Sequence, residues 1–364
     1  MSIARTKIKG LVLLNSRTTV PGFTLFTPVN DKAVYLIDNR GEVVREWKLA
    51  EKPASGGRLL PNGNLLVLLQ DPESPCFGIE GSGGYLQEVD ADSNVVWEYK
   101  DRYLHHEAIM LTNGNILAMR WEPMDESLAA RVKGGFPVDG PMLDEGMIEI
   151  NYRKQIVWDW KASDRISPEE IYHCPVCQRD SWLHLNSVYE MKNGHLLISF
   201  AKANTVAVVS KTDKNIIWQW DSKGEVSHQH SPIELQNGNI MIFDNGMHPF
   251  KFSTDFSRVI ELNPGSNKVV WMYMGDSDNR LAVYFDSPIY SNVQQLVNKN
   301  LIITDGLSGT IFEIAPNGEL LWEYVNPYPL EDGIEEPHSK PIYSAYKYDK
   351  EFPGIKAIFN ANYM

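Results

Sequence analysis

Apolar and polar positions alternate in short runs along nearly the whole chain, and the runs fall into sets that repeat. Each set ends in two apolar residues followed by aromatics: "VVREW" from Val43, "VVWEY" from Val95, "IVWDW" from Ile156, "IIWQW" from Ile216, "VVWMY" from Val269 and "LLWEY" from Leu320. Their starts are 52, 61, 60, 53 and 51 residues apart. A short turn such as "NRGE", "DADS" or "NPGS" precedes each one, and a strand-like run such as "AVYLID", "YLQEVD" or "RVIEL" precedes each turn. Farther upstream lie "LLPNGNLLVLL", "MLTNGNILAM", "EMKNGHLLISF", "ELQNGNIMIF" and "QLVNKNLIIT". These predict hairpins bent at Asn-Gly or its stand-in, where the backbone must take positive φ.

One repeat is therefore two hairpins, or four antiparallel strands. Units of about 40–50 residues with four strands each predict the blades of a β-propeller. Counting gives six. Five blades are complete in order, and the sixth takes its strands from about 20–49 and 338–350, with "IYSAYKY" joining "FTLF", "AVYLID" and "VVREW". The expectation is an all-β, six-bladed propeller spanning 1–364 as one domain, its ring closed by its own termini so that no long edge stays open. Helical periodicity is confined to "MDESLAARV" in the second blade.

Naming the strands of a blade A to D from the centre outward, the Asn-Gly turns join A to B and the "NRGE"-type turns join C to D. All these tight turns share one face, so the long connections share the other, with insertions expected at 121–146 and 163–181. Long loops on a rigid scaffold are where binding and catalysis concentrate. Counting back seven from the turn asparagines 113, 193, 237 and 298 gives His106, Asn186, His230 and Ser291, in equivalent register at the starts of four inner strands. His184 lies two residues farther back, on the same side of its strand by the period of two. The B strands end on this face at Arg120, Lys202, Asn245 and Asp305. The pattern predicts a shared polar pocket at the channel mouth. Trp121, Trp182 and Tyr103 lie near enough to stack on an aromatic ring, and His338 lies in a loop that reaches the pocket from above. The plainer alternative for each is a solvated channel lining or loop packing. His195 occupies a tight turn on the opposite face, and His105 and His228 neighbour the inward positions.

Composition narrows the partners. The 364 residues carry a formal net charge of −13, which argues against nucleic acid or an anionic membrane as partner. "GLVLL" is too short for a signal-peptide core or a membrane span, so the expected location is the cytoplasm. Three cysteines, Cys76, Cys174 and Cys177, fit a reducing compartment and exclude a disulfide framework.

The segments "HHEAIMLTNGNILAM", "WLHLNSVYEMKNG" and "QHSPIELQNGNIMIFDNG", with "PGFTLFTPVNDKAVYLIDNRGEVVREW", "GGRLLPNGNLLVLL" and the closing "IYSAYKY", resemble the arylsulfotransferase family of β-propellers nearly end to end. The pieces "HHE", "HLNS" and "QH…FDNG" are specific, whereas the repeats alone are generic. The resemblance implies transfer of a sulfuryl group from an aryl sulfate to a phenolic acceptor without a nucleotide donor and with no required cofactor. It makes His230 the nucleophile that becomes sulfated, with His184, Asn186 and His106 as catalytic partners. An arginine expected after the third turn is replaced here by Lys202, a point charge in place of a bidentate fork. Arg120, Asn245, Ser291, Trp182 and His338 are the expected substrate contacts, and the substrate is a small aromatic molecule.

"IYHCPVCQRD" adds a separate expectation. Cys-x-x-Cys in a reducing compartment is consistent with zinc, held by Cys174, Cys177 and His173 with a further ligand such as His338, His248 or Cys76. The alternative is a reduced structural pair. Three rival functions share the pocket or the fold: a lyase acting on acidic sugars, an enzyme whose histidines bind a redox metal, and a binding scaffold without catalysis.

Overall fold

The computed structural model describes residues 8–248, 256–275, 286–328 and 340–360, and these form a six-bladed β-propeller. Blade 1 comprises Arg58–Leu59, Leu65–Gln70, Gly84–Val89 and Val95–Lys100, each antiparallel to the next. Blade 2 (Leu104–Met110, Ile116–Pro123, Leu143–Ile150, Ile156–Lys161) and blade 3 (Leu185–Glu190, Leu196–Phe200, Thr205–Val209, Ile216–Asp221) repeat the plan. In blade 4 the innermost strand is His230–Glu234, in blade 5 Asn292–Gln295, and in blade 6 Ile342–Asp349. That last strand pairs with Gly22–Pro28, so the C-terminal segment closes the ring against the N-terminal one.

The repeat has a physical basis at three points. Both faces of a blade are buried, so alternate residues serve different neighbours. In blade 3, Leu196, Ile198 and Ala207 pack toward blade 2, while Leu197, Val206 and Val208 pack against Ile240, Ile242 and Ile260 of blade 4. Outer-strand tryptophans latch one blade to the next. The indole N–H of Trp97 donates to Tyr152 O, Trp158 to Lys211 O, Trp218 to Pro264 O and Trp322 to Asn39 O. The hairpin asparagines clamp a glutamate of the C strand, as when Asn113 and Asn115 both donate to Glu149. Each latch satisfies groups that a packed sheet would otherwise leave unpaired.

Two elements escape the periodic reading. Gly10–Leu14 adds a fifth strand outside blade 5, paired antiparallel with Leu320–Val325, and so covers that edge. Pro353–Asn360 is a helix whose Ile355 and Ile358 pack against Trp47, Leu59 and Leu65. The expected short helix forms at Glu126–Ala129, N-capped by Asp125. The insertion expected at 121–146 is shorter than read, because the flanking strands run to Pro123 and from Leu143 and pair directly with each other. Among the described residues no helix is long and apolar enough to cross a membrane.

Candidate active site

Inner strands deliver the site residues with an irregular step at each start. Register shifts interrupt the pairing between Ala118 and Met119 in blade 2, Leu185 and Ser187 in blade 3, and His230 and Ile233 in blade 4. His106, His184, His228, Ser231, Tyr290 and Ser291 all adopt positive φ there, at 48°, 54°, 54°, 52°, 60° and 83°. A bulge re-aims a side chain that a regular strand would point sideways, and non-glycine residues held at positive φ cluster at functional sites.

Six blades enclose a channel cavity of about 280 Å³ lined by His106, Asn186, His230 and Ser291. Its other walls include Phe77, Tyr290, Tyr343, Tyr346 and two carboxyl groups, Glu80 and Glu107. On the long-loop face lies a vestibule of about 650 Å³, lined by Tyr103, His184, Lys202, His228 and His248. Gly78, Ile79 and Glu80 border both spaces. His184 and His106 stand on the boundary, ring centroids 4.6 Å apart and edge to face. The His106 ring lies against Gly81, where any Cβ would fall about 2.5 Å from the imidazole, and Gly81 O accepts the His106 backbone N–H at 2.7 Å.

His230 has a fixed tautomer. Asn245 Nδ2 donates to Ser287 O at 2.6 Å and to Tyr290 O at 3.1 Å, which turns Asn245 Oδ1 toward the histidine. His230 Nδ1 lies 2.8 Å from that oxygen and 3.2 Å from His228 O, both acceptors, so Nδ1 carries the proton and Nε2 the lone pair. Burial pushes the imidazole down to about 4 against the opposing bond from Asn245, which leaves the ring neutral. Asn245 therefore orients the histidine, where the sequence reading had it touching substrate.

A second chain of groups supports His106. His105 Nδ1 is 2.8 Å from His106 Nδ1, and His105 Nε2 faces Glu145 Oε2 at 3.6 Å. His105 stacks on Trp121 at 4.0 Å, and Trp121 Nε1 donates to Glu145 Oε2 at 3.0 Å. Glu145 Oε1 accepts the His184 backbone N–H at 2.8 Å. Fully enclosed, Glu145 is raised to about 8 by burial, partly offset by Lys202. Burial likewise brings His106 down to about 3, with His230 and Lys202 adding to the effect, and holds His184 well below its ordinary value. Sequence reasoning passed over Glu145 and set His105 aside. The adjacent histidines of "HHE" were the available signal, but nothing local links them to "LDEG".

Several expected contacts lie elsewhere. Arg120 is bound to Asp101 at 2.6 Å and to Glu122, and it lines neither space. Its strand ends on the right face, but acidic neighbours on its own side neutralise it. Trp182 is fully buried in the core between blades 2 and 3, and Trp121 is buried too, so neither offers a face to a ligand. Of the three aromatics expected near the mouth only Tyr103 lines a cavity, the vestibule, and the channel's aromatic walls come from other residues, with Tyr290 and Tyr343 edge to face at 5.1 Å. Lys202 lines the vestibule, its Nζ donating to Gln178 O at 3.0 Å, to Ser181 Oγ at 3.1 Å and to Asp180. Asn186 Nδ2 donates to Gln229 O at 3.0 Å. His338 lies outside the described residues.

The cysteine pair also gathers other partners than expected. His173 turns away, with Nδ1 3.0 Å from Trp182 O. Cys174 and Cys177 instead face His228 and His248, and Cys76 is enclosed beside Trp121 and Leu143.

The sequence model of a family described as Arylsulfotransferase (ASST) matches residues 57–327. No curated protein is similar in sequence at a significant level. Among solved structures, a protein of unknown function from Bacteroides caccae is similar over 90% of this chain and 98% of its own, with 13% identity and a TM-score of 0.57. Virginiamycin B lyase from Staphylococcus aureus aligns over 88% of this chain and 89% of its own, with 9% identity and a TM-score of 0.47.

Proposed function

The chain belongs to the arylsulfotransferase family, and we propose that it transfers a sulfuryl group from an aryl sulfate to a phenol through a sulfohistidine at His230. The observation that carries this reading is the Asn245 amide, locked by two carbonyls so that His230 offers its Nε2 lone pair to the channel. In the first half-reaction Nε2 attacks sulfur, the sulfur–oxygen bond to the ring breaks, and its electron pair leaves on the phenolate, which is protonated by water. The imidazole, now sulfated at Nε2, still holds its Nδ1 proton and carries positive charge, which Asn245 Oδ1 and His228 O stabilise as acceptors.

In the second half-reaction the acceptor phenol attacks sulfur and loses its proton to a base, and His230 leaves as the neutral ring it began as. His106 suits that base. In the tautomer where His105 Nδ1 accepts, His106 donates from Nδ1 and keeps its Nε2 lone pair, and burial keeps the ring neutral. Asn186, which lines the channel beside His230, would face the sulfuryl oxygens, whereas Lys202 lines the adjoining vestibule, where Asp180 pairs its charge. Phe77, Tyr290 and Tyr343 support a flat aromatic substrate, with edge and face contacts available on two sides of the channel.

His230→Asn tests the assignment. It should abolish turnover of a chromogenic aryl sulfate and remove the mass increment of one sulfuryl group seen by intact mass spectrometry after brief exposure to donor. Turnover that survives the change would mean that another residue, or no residue, is the nucleophile.

A further inference from the structure

We propose that Cys174, Cys177, His228 and His248 form a closed tetrahedral site for a zinc ion that pins the 162–184 connection to blade 4. The four ligand atoms lie within 4.8 Å of one another. Cys177 Sγ is 3.4 Å from both His228 Nε2 and His248 Nδ1, and Cys174 Sγ is 3.7 Å from His248 Nδ1. Zinc bonds of about 2.3 Å to sulfur and about 2.0–2.1 Å to nitrogen, set tetrahedrally, place sulfur roughly 3.5 Å from nitrogen. The three sulfur–nitrogen separations match that shell.

Local backbone geometry agrees. Cys177 N–H donates to Cys174 O at 3.2 Å, a tight turn that brings both thiols to one side. Cys174 N–H is anchored on Lys202 O at 2.7 Å. Three of the four residues are buried and His248 is half-buried. Two thiolates balance the double charge of the ion, so the filled site is neutral overall and tolerates enclosure. Thiolate and imidazole donors in a tetrahedral S₂N₂ set favour zinc over the harder divalent ions. Four protein ligands leave no open position, so the role is structural.

Its placement gives that role content. The pinned connection carries Gln178, Asp180 and Ser181, which hold Lys202, while His228 O accepts from the His230 ring. A metal here would fix the vestibule wall and one of the two acceptors that orient His230. His173, the nearest histidine in sequence, takes no part, because its Nδ1 faces a core carbonyl.

The test uses the full-length, reduced protein. Metal analysis should find one zinc per chain, and cobalt(II) titrated into the chelator-stripped protein should give tetrahedral d–d bands with thiolate charge transfer, saturating at one equivalent and displaced by zinc. Cys177→Ser and His248→Ala should weaken cobalt binding by more than the ~10–100-fold that follows loss of an outer-shell partner, whereas His173→Ala should bind as the parent does. Should a ligand variant misfold, the cobalt titration of the unaltered chain still decides. Absence of stoichiometric uptake by that chain, a Cys174–Cys177 disulfide persisting under reductant, or unchanged binding by Cys177→Ser would overturn the assignment.

Discussion

Replacing Asn245 with leucine examines the orientation of His230 with little change of shape. The substitution removes the acceptor 2.8 Å from His230 Nδ1 and the two donations to Ser287 O and Tyr290 O. In the sulfated intermediate the lost bond runs to a cationic ring, and hydrogen bonds to charged groups are worth about 1.5–3 kcal/mol. At 1.36 kcal/mol per factor of ten, the first half-reaction should slow by roughly 10- to 160-fold. His228 O, at 3.2 Å, remains as the weaker acceptor, so activity should fall without vanishing. Stability should also decline, by roughly 2–6 kcal/mol, because two carbonyls lose their donor at about 1–3 kcal/mol each. Stopped-flow release of phenolate under single-turnover conditions reads the chemistry, and thermal melting of the same sample shows that the fold persists. A rate constant within twofold of the parent, on folded protein, would refute the claim that Asn245 sets the tautomer.

Four further outcomes follow from the same geometry. Glu145 is raised by burial from its unfolded value to about 8, so the folded state binds the extra proton and stability falls as pH rises through the interval between the two; Glu145→Gln should flatten the melting temperature against pH from about 5 to 8, and an unchanged slope would deny Glu145 that proton. Lys202→Met strands Asp180 beside the vestibule and should cost on the order of 3 kcal/mol or less, given partial exposure of the carboxylate; adding Asp180→Asn should recover much of that loss in a denaturant titration. Arg120→Gln should leave kcat/KM within about twofold, since its guanidinium is spent on Asp101 and Glu122 outside both spaces. His105→Phe keeps the stack on Trp121 but removes the partner of His106 Nδ1, so the second half-reaction should slow by about 10- to 100-fold, with the donor burst preserved.

Much of the architecture was legible because its signals are local. Alternation with a period of two, an asparagine-glycine bend and an aromatic outer strand recur often enough that six blades can be counted without coordinates. Counting back seven residues from each bend also found His106, Asn186, His230 and Ser291, all of which line one cavity. The same counting misjudged Arg120, because register says which way a strand ends and nothing about the carboxylates that meet it there. Trp182 was misread for a similar reason: a residue beside the mouth in sequence turns inward once the 162–184 connection folds over blade 3.

The amino-acid order by itself determined the strands, their grouping into blades and the face on which the long connections gather, since these depend on backbone propensity and side-chain alternation over a few residues. Packing within blades and between neighbouring blades decided the rest. It carried His228 and His248, 51 and 71 positions beyond Cys177, to within 3.4 Å of that thiol, and set Glu145 behind His105. Bulges at positive φ then aimed the imidazoles. Such convergences rest on contacts between segments far apart in sequence, whose geometry exists only once the strands of a blade and the neighbouring blades have packed together.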